Sequence, residues 1–200
     1  MLKMIKGAKI NCADKLNEEY VLEEDYLTAN INADKILKII NDFVDLQTNP
    51  LFLIIEVPTS LNDEIVNENI MENTHKDVYY LDGMSNEFVK ELLKTFGNLF
   101  INDGMAQIGV GNHITNAEIM SKKYNVITIF NGKDDKSKYE ELMLNNEIKK
   151  VDSLTTAWSF FSKENPGFCN TIEEDGKNIY DAVEALKEAG LYFAERREDF

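Results

Sequence analysis

The stretch from Leu99 to Phe130 limits most sharply what this chain can fold into. Leu99-Phe100-Ile101 runs into Asn102-Asp103-Gly104, and an alternating segment follows. Asn and Asp-Gly steps between apolar segments signal a hairpin, because these residues tolerate the positive φ of a tight turn. The expected return strand sends Ala106, Ile108 and Val110 to one face and Gln107, Gly109 and Gly111 to the other. That second face is nearly bare backbone, and His113 extends its line. Something must approach it closely, either a helix or a ligand.

Around this hairpin the periodicity alternates between helix and strand. Ile36, Leu37, Ile39, Ile40, Phe43 and Val44 fit one helical face that ends at Asn49-Pro50. The apolar run Leu51 to Val57, broken only by Glu56, predicts an interior strand with helices on both faces. Val78 to Leu81 predicts another strand. Ser85 is placed to cap a helix carrying Phe88, Val89, Leu92, Leu93 and Phe96, which stops at Gly97. Thr115-Asn116-Ala117-Glu118 has the form of a capping box and predicts a short helix to about Lys123. The β-branched run Asn125 to Phe130 predicts a further strand. Beyond it the pattern is helical, with Leu154, Ala157, Trp158 and Phe161 on one stripe and Ile179 to Phe193 on another. Short strands are also expected within Met4 to Ile10 and Tyr20 to Leu27.

Element order of this kind predicts an α+β domain with a mixed or largely antiparallel sheet of about five to seven strands. One domain is expected over residues 1–200. Its sheet-containing portion covers about 1–132, and a helical portion over about 135–200 packs on it.

Apolar residues make up 44% and charged residues 28% of the chain, a globular rather than a disordered balance. Against 36 acidic side chains stand 21 basic ones, a formal net charge of −15. A field of that sign disfavours nucleic acid as a partner. The chain lacks an apolar run long enough for a bilayer, so a cytoplasmic protein without membrane association is expected. Cys12 and Cys169 share no metal-ligand spacing, two histidines supply no zinc signature, and neither a cofactor nor a metal is expected. Glu72-Asn73-Thr74-His75 matches one Glu-x-x-His pair, but such bundle sites need two pairs and further glutamates.

Two sets of candidate residues remain. Gly109, Gly111, His113 and Thr115, set before an expected helix N-terminus, could receive an anion, with Glu56 or Asp103 nearby. A carboxylate interrupting an apolar strand needs a partner, which singles out Glu56. Trp158, Phe160 and Tyr192 are the aromatics expected to anchor a partner. Ala189-Gly190 suits close helix packing within the monomer or across a homodimer axis.

From this follows the leading expectation: an acidic, non-enzymatic interaction module that neutralises a basic partner, as an inhibitor or immunity protein would. The alternative is a small ligand-binding domain or enzyme with its anion site at Gly109, Gly111 and His113.

Overall fold

The computed structural model describes residues 1–68 and 75–198. In chain order it contains β1 (Ala8–Lys9), β2 (Glu19–Leu22), β3 (Tyr26–Asn30), α1 (Ala33–Asp45) and β4 (Leu51–Pro58). Next come α2 (Leu61–Glu68), β5 (His75–Met84), α3 (Asn86–Leu92), α4 (Asn98–Asn102) and β6 (Gln107–Gly111). The remainder holds β7 (Glu118–Lys122), β8 (Val126–Phe130), α5 (Ser137–Asn145), β9 (Lys149–Lys150), β10 (Phe168–Cys169), α6 (Ile179–Lys187) and β11 (Tyr192–Glu198).

The fold is α+β. Nine strands form one sheet in the order β11-β5-β4-β6-β7-β8-β3-β2-β9, and β1 pairs with β10 apart from it. Neighbours in the large sheet are antiparallel except β2 and β9, which are parallel. The sheet is therefore wider than the expected five to seven strands. The difference comes mostly from residues after 132, expected to be helical. They supply β9 to one edge and β11 to the other. Edge strands keep one face and one side in water, so the polar sequence of β11 carries little apolar alternation to announce it.

One face of the sheet is covered by helices. Ile39, Ile40 and Phe43 of α1, Val89 of α3, Phe100 of α4, Leu142 of α5 and Val183 of α6 join one core. Leu53, Ile55, Ile108, Val110, Ile119, Ile127 and Ile129 of the sheet meet them there. The inward set Ala106, Ile108 and Val110 is as the alternation predicts. Across the sheet lies a separate small cluster of Phe52, Ile54, Val78 and Met120, with Tyr80 against it. All eight residues of β4 are buried, yet its second face is covered by neighbouring side chains of the sheet, not by helices.

The hairpin is displaced from its expected place. Leu99-Phe100-Ile101 lies within α4, all three buried, and a π turn over Leu93–Gly97 carries the helix through the glycine expected to stop it. Asp103 closes the helix, its N–H donating to the Leu99 carbonyl at 3.0 Å. The hairpin is instead β6–β7, closed where Asn112 N–H donates to Ala117 O at 2.9 Å. Asn116 there adopts φ 61°, a left-handed conformation that Asn tolerates. The helix expected from Thr115 is thus strand β7. Its Thr–Glu spacing serves a turn, in which Ala117 N–H donates to Thr115 Oγ1 at 3.2 Å.

The stripe over Ile36 to Val44 holds, whereas the one over Ile179 to Phe193 is helical only to Lys187 and its last two residues belong to β11. α1 begins at Ala33, and Ser85 caps α3 by accepting from Phe88 N–H at 3.2 Å. The stripe at Leu154 to Phe161 contains only a 3-10 turn, Ala157–Phe160. Glu72 lies outside the described residues. Among the described residues no helix is long and apolar enough to cross a membrane.

Candidate functional site

Cross-strand register arranges the uncovered face in rows, because alternate residues of each strand point to it. The first row runs Phe52, Gly111, Glu118, Phe130, Tyr26 through direct partners on β4, β6, β7, β8 and β3. The second runs Tyr192, Tyr80, Ile54, Gly109, Met120, Thr128, Thr28. A third begins Val78, Glu56, Gln107. Rows stand about 7 Å apart, two residues along each strand.

The two glycines shape the floor. A β-carbon on Gly109 would stand 2.5 Å from Met120 Sδ, 2.6 Å from Ile119 O and 2.8 Å from Ile54 Cγ2. One on Gly111 would stand 2.2 Å from Phe52 Cζ. What approaches the bare strip is a set of side chains from the flanking strands, Met120, Ile54 and Phe52, lying across β6. The centre of the face is lowered, and a cleft of about 580 Å³ opens above it.

Along one side of the cleft the groups are polar. Glu56 is buried, and its Oε2 accepts from Lys76 Nζ at 2.5 Å and Gln107 Nε2 at 3.1 Å. Its Oε1 accepts from Arg197 Nη1 at 3.3 Å. This is the partner that the interrupted apolar strand requires. Lys122 and Lys123 also line the cleft. Lys122 has no ion-pair partner among the described residues. Burial pushes its ammonium below the ordinary lysine value, against the pull of Glu56 and Glu118. Burial likewise raises Glu118, with Glu56 adding to it and Lys122 and Arg197 opposing. Among the described residues four cationic side chains face two carboxylates in the lining, a formal +2, and Arg197 also pairs with Glu195 outside it. The whole chain carries −15.

A second hollow of about 500 Å³ adjoins the first and shares Tyr80, Glu118 and Phe130 with it. At its rim His113 Nε2 meets Asp82 Oδ1 at 2.8 Å, and Tyr192 donates to Asp82 Oδ2 at 2.6 Å. The His113 ring stacks on Phe52 with centroids 4.4 Å apart. Burial works against ionisation of Asp82, but the bonds from Tyr192 and His113 outweigh it and hold the carboxyl below its usual range.

Comparison with known proteins adds nothing to this geometry. No family model, curated protein or solved structure matches the chain.

The structure gathers residues singled out for different reasons. Glu56 and Trp158 line the larger cleft, His113 and Tyr192 line the smaller, and Gly109 and Gly111 lie beneath the Ile54, Met120 and Phe52 side chains that line the two. Trp158 stands half exposed and edge-on to Tyr124 at 5.0 Å. Three candidates lie elsewhere. Thr115 sits in the β6–β7 turn, without a helix N-terminus beside it. Phe160 packs against the helix-side core with the Lys15 ammonium 5.4 Å from its ring. Asp103 is buried at the end of α4, where its carboxylate accepts from the N–H groups of Met105, Ala106 and Ile172 at 2.8, 2.9 and 2.9 Å. Burial raises its pKa while those three bonds resist.

Sequence reasoning passed over Lys76, Gln107, Glu118, Lys122 and Arg197. The signal was present in Glu118-x-Met120-x-Lys122, an alternating triple, but the capping-box reading of the preceding residues masked it.

Proposed function

We propose that this protein is a binding domain whose open sheet face receives a small acidic ligand. One observation carries the reading: a cleft whose described lining residues sum to a formal +2 within a chain of net charge −15. A concentration of positive charge against the general field marks a place where an anion gains from local attraction. The 580 Å³ volume lies within the range of small-molecule sites, about 300–1,000 Å³. Lys122 supplies a cation without an ion-pair partner among the described residues, and Gln107 and Arg197 supply donors that orient a carboxylate or phosphate. The glycine-floored strip takes part as the depression that admits the ligand.

Titration of the labelled protein with inorganic phosphate and benzoate, followed by backbone amide NMR, tests this. Saturable shifts are expected at Gln107, Lys122 and Arg197, and Lys122→Ala should abolish them. Shifts that never saturate, or that map to other faces, would overturn it.

A second reading, capture of a basic protein in the manner of an inhibitor or immunity protein, is favoured by the net charge itself. It predicts an association rate with a basic partner that falls steeply with salt. Salt-insensitive association would remove it.

A further inference from the structure

The smaller hollow has the opposite chemistry to the cleft beside it. Its walls include four aromatic rings, from Phe52, Tyr80, Phe130 and Tyr192. Phe52 and Tyr80 have centroids 5.7 Å apart, and Tyr80 and Tyr192 are stacked at 6.4 Å. Two carboxylates, Asp82 and Glu118, open into the same space, while its lining contains no lysine or arginine among the described residues. Asp82 is engaged by His113 and Tyr192. Glu118 lies between Gly111, which Phe52 covers, and Phe130 in the first row, and its side chain has no hydrogen bond or ion pair among the described residues.

Ring faces carry negative potential, and a carboxylate set among them gains nothing from an anion and much from a cation. We propose that this hollow is a binding site for an organic cation, of the ammonium or quaternary ammonium class, with Glu118 as its counter-ion and Tyr80 and Phe130 as its ring walls. Because Tyr80, Glu118 and Phe130 also border the larger cleft, one molecule can span both. The ligand of the whole face is then a zwitterion, cationic group in the ring-lined hollow and acid beside Lys122. The zwitterion assignment rests on the anion reading of the cleft, whereas the cation site stands without it. Glu118 and Lys122 are four residues apart on β7, which sets their α-carbons roughly 13 Å apart. Each acts on the other electrostatically.

The test uses the unaltered chain with choline and with 3,3-dimethylbutan-1-ol, which has the same shape without charge. Choline should give saturable NMR shifts around Tyr80, Glu118 and Tyr192, and the neutral isostere should bind about tenfold more weakly. Glu118→Gln should narrow that gap by weakening choline alone. Equal binding of the two compounds, or choline shifts on another face, would overturn the cation site. Next, a series of ω-trimethylammonio carboxylates of increasing chain length should contain one optimum, about tenfold tighter than choline. A response flat with length removes the zwitterion and leaves the cation site standing. Absence of shifts at Lys122 and Gln107 with benzoate is the separate failure of the anion reading.

Discussion

The ring of Phe52 lies across Gly111 on the adjacent strand, so close that a β-carbon at Gly111 would meet its Cζ at 2.2 Å. This contact is what the sequence shows only as a missing side chain. It also ties the floor of the uncovered face to its rim, since the same ring carries His113 on it.

Adding a methyl group separates the two floor glycines by the kind of atom each would strike. At Gly111 the obstacle is a ring that can swing. At Gly109 it includes the Ile119 carbonyl, 2.6 Å away and fixed in the ladder. Gly109→Ala should destabilise by about 1–3 kcal/mol, and Gly111→Ala by less. Phe52→Leu should largely absorb the Gly111→Ala loss. Urea denaturation of the two single variants and the double variant measures all three outcomes.

Glu56 is the shared acceptor of Lys76, Gln107 and Arg197. Glu56→Ala should cost about 1–3 kcal/mol, because donors on the face lose their acceptor. Glu56→Gln should cost less, as the amide oxygen can still accept. Thermal unfolding of both variants decides the order.

Asp82 joins Tyr192 to His113, and its folded pKa is lower than its unfolded one. Folding therefore gains from its ionisation above the unfolded value, about 3.9, and loses that gain as the pH falls through the folded value. Tyrosine fluorescence or near-UV circular dichroism, followed as the pH falls from 5 to below about 3.9, should show β11 loosening on that limb. In Asp82→Asn this part of the pH dependence should vanish.

Lys122 titrates below the ordinary lysine value, so anion binding in the cleft should weaken on the alkaline side earlier than for a surface lysine. Phosphate or benzoate affinity measured from neutral pH upward checks this. A flat profile would remove Lys122 as the anchoring charge.

Asn178 caps α6 by accepting from Tyr180 and Asp181 N–H at 2.9 and 3.2 Å, and Asp181 returns the bond to the Asn178 N–H at 2.9 Å. Asn178→Ala should cost about 1 kcal/mol, read as a lowered urea midpoint with an unchanged slope.

Much of the scaffold is legible in the residues because its signals are local. α1, β4, β8 and the Ser85 cap follow from periodicity or from one side chain meeting one backbone group. Asn102-Asp103-Gly104 misleads because the same residues that turn a hairpin also leave a helix, and burial of Leu99, Phe100 and Ile101 against the core decides between them. β7 is hidden by Thr115 and Glu118, whose spacing fits a capping box as well as a turn entering a strand. The site was legible only in pieces. Glu56, Gly109, Gly111, His113, Trp158 and Tyr192 each drew attention alone, but register between strands distant in sequence is what brings them onto one face. That pairing depends on the whole sheet.

Strand β11 gives Tyr192 to one hollow and Arg197 to the other, and the Tyr192–Asp82 bond closes over 110 positions of chain. A polypeptide interrupted at Gly190 would possess the glycine floor and the central strands yet hold an unfinished vessel, one wall missing from each compartment. Neither hollow is complete until Tyr192 and Arg197 have joined β5, so both depend on one and the same pairing of strands.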